Sequence, residues 1–294
     1  MDPDLVEKLK RLVIIALFSN DDLMQTLVLK GGNLLDVVHG ISTRPSKDVD
    51  LSMCGQFDDL EKARQAIEQA LKGTLDEHGY LVFDVKLREA PPPEWLTDDL
   101  KDFWGGYKAD FKLIPKEQQK ALGDNLDDMR RRAVIVRDGG STKFPIEISR
   151  NEYCEEKEAV LLDGYTIYAY TPAMLICEKL RAICQQMPEY RAIVKGTPRS
   201  RGRDFLDIHN VAERFPLDFA EPRFRDTLRK VFAAKRVDVN LLRLVESPEV
   251  KEFHRADFET IRDTVRPGEE VQSYDFYHSY VVQKIHLLEP LWDE

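Results

Sequence analysis

The sequence predicts an α+β protein, with a mixed α/β part to about residue 170 and an all-helical part after it. Three observations carry this. Apolar residues recur at helical spacing over residues 3–19 and from Phe57 to His78. Period-two alternation, the mark of a strand with one buried face, is confined to the first part, in Tyr80–Leu87, Trp104–Ile114 and Phe144–Ser149. Beyond Pro172 only helical patterns follow, cut by Pro216, Pro222, Pro248 and the Pro267-Gly268 pair. The expected domains are therefore residues 1–170, mixed α/β, and residues 171–294, helical.

In the first helix Leu5, Leu9, Leu12, Val13, Ala16 and Leu17 share one face, and Asn20-Asp21-Asp22 breaks it. A short β-type run covers residues 26–30, followed by Gly31-Gly32 and a helix near 32–39, with Gly40 where a left-handed cap is expected. Residues 48–53 read as a strand. Gly79 closes the Phe57–His78 helix, and Pro91-Pro92-Pro93 marks a loop. Residues 116–136 read as one charged helix, Asp138-Gly139-Gly140-Ser141 as a turn, and 160–170 as one more β-type run. Thr171 at the N-cap and Pro172 at the first helical position start a helix to about 187. A basic loop follows over 188–202, then a helix from Arg203 to about 214, then three or four helices over 221–290.

At 294 residues, 43% of them hydrophobic and 33% charged, the chain has the makings of one large or two ordinary globular domains. No apolar run is long enough to cross a bilayer, so no membrane association is expected. The acidic start MDPDLVEKLKRLVIIALF lacks a small-residue cleavage site and is not read as a signal peptide. Cys54, Cys154, Cys177 and Cys184 form no CxxC pair; they read as reduced, mostly buried thiols of a cytoplasmic protein, not as a zinc site. The formal net charge of −10 argues against nucleic acid binding over the whole surface. Two local basic clusters remain candidates for an RNA backbone: Arg130, Arg131 and Arg132, and Lys195, Arg199, Arg201 and Arg203.

The chemistry centres on Asp48 and Asp50. Two carboxylates one residue apart in a strand point to the same face and repel unless a cation sits between them. Oxygen ligands of this kind suit Mg²⁺. Taken alone an Asp-x-Asp is equally a solvated edge strand, but here Gly31-Gly32 precedes it and leaves bare backbone that a phosphate could approach. Glu147, opposite in facing to Ile146 and Ile148, is either a third metal ligand or an exposed glutamate. Ser46 and Lys47, with Arg44, crowd the pair; Ser46 either binds a phosphate oxygen or caps a turn. A phosphate on Ser46 would add about −2 charge there and block nucleotide binding. Lys179 is either a solvated lysine or the cation for β- and γ-phosphates. Asp204 and Asp207, three apart on one helix face, are either a first-turn capping acid and a group that positions Lys179 or Arg203, or members of the site.

Four segments, LKGGNLL, RPSKDVDLSM, EKLRAI and RGRDFLDIHNV, in this order, resemble the AbiEii nucleotidyltransferase toxins, which include the MenT toxins, of the polymerase-β-like nucleotidyltransferase superfamily. The resemblance spans roughly residues 26–215. It implies a small twisted sheet flanked by helices, with the helical C-terminal part completing a cleft. It implies that Gly31 and Gly32 form the triphosphate turn, Asp48 and Asp50 hold metal, Lys179 is the lysine of the third motif, and Asp204 or Asp207 is the acid of the fourth. Glu147 would match the third strand carboxylate of the superfamily. Asn33 departs from the small hydroxyl residue usual after the glycines, and the acidic, proline-bearing 91–130 region is a second departure. The implied activity is Mg²⁺-dependent transfer of a nucleotide from an NTP, with release of pyrophosphate, to the 3′ end of tRNA, which would halt translation. A cognate antitoxin partner is implied as well. The alternatives are a small molecule or a protein side chain as acceptor, and an inactive scaffold that binds a partner through its C-terminal helices.

Overall fold

A computed structural model describes residues 2–41, 48–256, 258–259 and 270–292. The chain divides into two compact units, Met1–Val38 with Pro45–Ala169, and His39–Arg44 with Tyr170–Glu294.

The first unit is built on one mixed sheet. Its elements are α1 (Pro3–Phe18), α2 (Asp21–Thr26), β1 (Val28–Leu29), the single turn α3 (Gly31–Asn33) running into a π-turn (Leu34–Val38), β2 (Val49–Ser52), α4 (Leu60–Glu77), β3 (Tyr80–Ala90), α5 (Asp98–Lys101), β4 (Gly106–Pro115), α6 (Lys116–Leu122), α7 (Leu126–Arg132), β5 (Phe144–Ser149), β6 (Glu158–Leu162) and β7 (Tyr165–Ala169). Among the described residues seven strands lie in the order β3-β4-β5-β2-β1-β7-β6. β2 runs parallel to β5 and β1 parallel to β7, and the other neighbours are antiparallel.

The side-chain periods explain the packing. In α4 Ala63, Ile67, Leu71 and Leu75 recur every fourth residue and are buried, and α4 packs on β3 and on α1. Asp59 caps α4 by accepting from the backbone of Glu61 and Lys62. Its outer face carries the Arg64–Glu68 and Lys72–Glu68 pairs. On β4 Tyr107, Ala109, Phe111 and Leu113 are buried, and Lys108, Asp110 and Lys112 take the opposite face. Phe144, Ile146 and Ile148 of β5 continue the buried layer, with Phe144 stacked on Phe111 at a centroid distance of 5.2 Å. Gly106 lets the two strands meet, since a Cβ there would collide with the Ile148 carbonyl.

The second unit is helical: α8 (Pro172–Cys184), α9 (Pro188–Arg191), α10 (Gly202–Arg214), α11 (Pro222–Ala233), α12 (Pro248–Arg255) and α13 (Tyr274–His286), with 3₁₀ turns at Val239–Leu244 and Glu289–Leu291. α8 packs against both α10 and α11. Thr171 caps it through the Met174 backbone at 3.3 Å, as its sequence predicts. Met174, Leu175, Ile176, Leu180, Ile183, Phe205, Ile208, Leu228 and Phe232 form the core around it.

The elements differ from their sequence expectations where local chemistry intervenes. Asn20 ends α1 but also caps the extra helix α2 through the Leu23 backbone. The β-type run of 26–30 shortens to two residues, and the 32–39 helix is one α turn followed by a π-turn. The helix expected over 116–136 is two helices, separated at Gly123 with φ of +63°. The run over 160–170 is a hairpin that turns at Asp163-Gly164, both with positive φ, and Arg11 of α1 donates to Asp163 at 2.6 and 3.1 Å. Inside the expected loop 188–202 lies α9. Cys154, Cys177 and Cys184 are buried and Cys54 is exposed, all as free thiols.

Leu71→Ala should cost about 2–5 kcal/mol, because the α4 face between α1 and β3 cannot fully close over the lost volume. Urea denaturation followed by far-UV circular dichroism checks this; a loss below about 1 kcal/mol would show that this face is not a tight core.

Candidate active site

Asp50 lies in β2 between Val49 and Leu51, which are fully buried, so its carboxylate is on the opposite face. Asp48 stands two residues earlier, just before the strand. The parallel register of β2 against β5 pairs Asp50 with Glu147, which places the two side chains side by side on that face. Gly31 presses against Asp50: it has φ of +69°, and a Cβ there would lie 2.8 Å from Asp50 Oδ2. No other residue fits both constraints without strain. Gly32 follows it in the same turn, α3, whose preceding residue Lys30 gives no side-chain cap.

Backbone bonds hold the two aspartates in place. The Lys30 N–H donates to the Asp50 carbonyl at 3.1 Å. Asn33, fully buried, donates its side-chain amide to the Asp48 carbonyl. The residue that departs from the family motif thus positions the first carboxylate's backbone.

Two acids of the group face a cation. Arg137 pairs with Asp48, and Lys108 Nζ bonds Glu147 Oε1 at 2.7 Å. Lys30 Nζ, nearly buried, donates to Ser149 Oγ at 3.1 Å and lies 3.8 Å from Glu152. Sequence reasoning did not single out Arg137, Lys108 or Lys30; for Lys108 the alternation of GYKADFKLI was the available signal. Among the described residues no three His, Cys, Asp or Glu side chains converge as a complete protein cage for a metal. Ser46 and Lys47, with Arg44, lie outside the described residues.

In the second unit α8 and α10 bring Lys179, Asp204 and Asp207 together. Lys179 Nζ donates to Asp204 Oδ1 at 3.1 Å and to Asp207 Oδ2 at 2.6 Å, and all three are buried. Burial by itself would push the Asp204 carboxyl up; Lys179, with Arg201 and Arg203, instead holds it down at about 2. Burial would likewise lower Lys179, and the two aspartates raise it above the usual lysine value. The three residues of two separate motifs form one ion triplet. Arg201 Nη1 lies 3.6 Å from Asp204 Oδ2, and its backbone N–H donates to His254 Nδ1 at 2.9 Å.

The basic clusters are partly committed. Arg130 bonds Asp84 on β3 at 2.7 and 2.9 Å, and Arg131 reaches Asp128 on its own helix at 3.3 Å. Arg132, Lys195 and Arg199 are exposed, and Arg203 is half-buried.

Comparison with known proteins decides the family. The family model described as nucleotidyl transferase AbiEii toxin, type IV toxin–antitoxin system, matches residues 14–279. The chain belongs to this family. As an AbiEii nucleotidyltransferase it is an enzyme of a type IV toxin–antitoxin system. Its fold is shared with the crystal structure of a candidate nucleotidyltransferase from Helicobacter pylori, at a TM-score of 0.50 and 14% identity over 99% of each chain. JHP933 from Helicobacter pylori aligns over 100% of this chain and 95% of its own, at a TM-score of 0.49 and 15% identity. No curated protein matches the sequence significantly. Among the described residues of this AbiEii protein no helix is long and apolar enough to cross a membrane.

Gly31→Ala should cost about 1–3 kcal/mol through the left-handed backbone alone, and a larger drop in melting temperature is expected as Asp50 is displaced. Lys179→Met leaves two buried carboxylates without their cation and should cost about 3–5 kcal/mol, with Asp204→Asn and Asp207→Asn added to it restoring part of the loss. A carboxyl held below its unfolded value stabilises the fold above that value and ceases to do so on acidification. The Asp204 share, roughly 2 kcal/mol, should therefore vanish as pH falls from the unfolded value of 3.8 through about 2. Urea titrations over that pH range measure it as the difference between the wild type and Asp204→Asn, which cancels the other carboxylates.

Proposed function

We propose that this AbiEii enzyme transfers a nucleotide from an NTP to the 3′ end of an RNA, tRNA in the first place, with Mg²⁺, and so inhibits translation until a cognate antitoxin restrains it. The observation that carries the reading is Gly31 packed against Asp50, with Glu147 the neighbour of Asp50 in register and Asp48 two residues before it in the chain. The donor set fits magnesium: its oxygens are hard, and this ion is typically held by one or two carboxylates together with substrate phosphates and water. Two adjacent aspartates meet that need without a cage of three. The pairing of Asp48 with Arg137 supports this reading, since it sets a cation against that carboxylate.

Asp48 and Asp50 would hold the ion, with Glu147 joining them on leaving Lys108. The ion would neutralise triphosphate oxygens and lower the pKa of the acceptor hydroxyl, so that its proton could pass to water as the new P–O bond forms and pyrophosphate leaves. Gly31 and Gly32 would offer backbone N–H groups to the β- and γ-phosphates beside the carboxylates. Ser46 and Lys47 would add contacts to them. Lys179, Asp204 and Asp207 support the second unit as one buried ion triplet, so a Lys179 variant is not a clean probe of catalysis.

Incubation with each α-³²P-labelled NTP, Mg²⁺ and total tRNA tests the reading. Label should appear on tRNA, and Asp48→Asn or Asp50→Asn should reduce it on the order of 10²–10³-fold, as should chelation of the metal. Label on the protein or on an added small molecule, with tRNA left unlabelled, would move the acceptor to another class.

A further inference from the structure

Strand register draws a single row of charge across one face of the sheet. Asp50 of β2 partners Glu147 of β5, Glu147 partners Lys108 of β4, and Lys108 partners Arg88 of β3. Direct partners on neighbouring strands share a face and lie about 4.8 Å apart, so the row spans roughly 14 Å. Its order is acid, acid, base, base. The cationic end faces solvent, with Lys108 46% and Arg88 57% exposed. It ends on β3, an edge strand of the sheet.

More cations gather beside the row. Lys86 is exposed and partners Asp110, which is bonded to Arg88. Lys112, on the same side of β4 as Lys108, flanks Asp84 together with Arg130. Lys86, Arg88, Lys108, Lys112 and Arg130 meet Asp84, Asp110, Asp127 and Glu147 there, so five cations face four carboxylates in a chain whose net charge is −10. The positive excess is local, and along the row itself it begins past Glu147.

We propose that Lys86, Arg88 and Lys108 bind the phosphate backbone of a single-stranded RNA end and lead its terminal hydroxyl along the row to Asp48 and Asp50. This rests on the RNA-acceptor reading above and names the surface that serves it. The order of signs sets the polarity of the strand. Its polyanionic part lies over the cations, and only the uncharged 3′ hydroxyl reaches the acids. Lys108 has a place in both states, as partner of Glu147 at rest and of a phosphate once Glu147 turns to the metal. Arg130, through Asp84, is the arginine of its cluster tied to this face, whereas Arg131 is bonded within its own helix.

Fluorescence anisotropy of a labelled short single-stranded RNA over a salt series tests the assignment. It compares the wild-type protein, a Lys86→Gln, Arg88→Gln, Lys108→Gln variant, and a Lys195→Gln, Arg199→Gln variant. Calorimetric binding of Mg²⁺–NTP serves as the control. The triple variant should bind RNA about 10–100-fold more weakly, with a slope of log K against log salt shallower by about 2, and Arg88→Gln, which bonds none of the proposed metal ligands, should bind NTP normally. The Lys195/Arg199 variant should bind RNA as the wild type does. Equal RNA affinity and slope in the triple variant would overturn the row while the RNA-acceptor reading stands. Absence of RNA binding by the wild type would overturn both. Should the triple variant also lose NTP binding, Arg88→Gln alone decides, with a slope shallower by about 0.7 expected and an unchanged slope refuting the row.

Discussion

The parallel pairing of β2 with β5 sets Asp50 beside Glu147 and Val49 beside Ile146. One register thereby serves two needs. The apolar partners, Val49, Leu51, Ile146 and Ile148, are all buried on one face and resist slipping, because a shift of one residue would send them to water and bring the acids inside. The acids are consequently concentrated on the other face, where their mutual repulsion is met by Arg137 and Lys108. Gly31 completes the arrangement from β1's side, since any side chain there would occupy the space of the Asp50 carboxylate.

The second unit depends on a different device. α8 is buried along nearly its whole length and carries Lys179 into the interior, where the charge is tolerable only because Asp204 and Asp207 meet it from α10. The triplet specifies how α8 and α10 face one another, because a rotated α10 would leave buried charges unmatched. Motifs that read as separate site elements along the chain are thus one structural cross-brace in this unit.

Much of the architecture was legible before the fold was known. The α1 and α4 faces followed from their apolar spacing, and α8 from Thr171-Pro172. The strands at Phe144–Ser149 and Gly106–Pro115 followed from alternation. What escaped were events decided by one or two residues against a longer pattern. Gly123 splits a charged stretch that otherwise reads as continuous helix, and Asp163-Gly164 folds an apparently single β run back on itself. The Asn33 amide could not be assigned, because its partner is a backbone carbonyl brought close only by the chain's return at Asp48.

The sequence by itself determined the family, through the Gly-Gly turn, the Asp-x-Asp strand, Lys179 and the Asp204/Asp207 helix, since these are local patterns with fixed spacing. It also determined which face of each amphipathic element is buried, because periods of 3.6 and 2 are properties of a single segment. Tertiary structure alone decided which charges meet: Asp48 with Arg137, Glu147 with Lys108, Lys179 with both aspartates, and Asp50 in line with Glu147, Lys108 and Arg88. Each of these joins residues at least 20 positions apart, and strand order, register and helix packing are set by the burial of the whole core rather than by anything written locally in the chain.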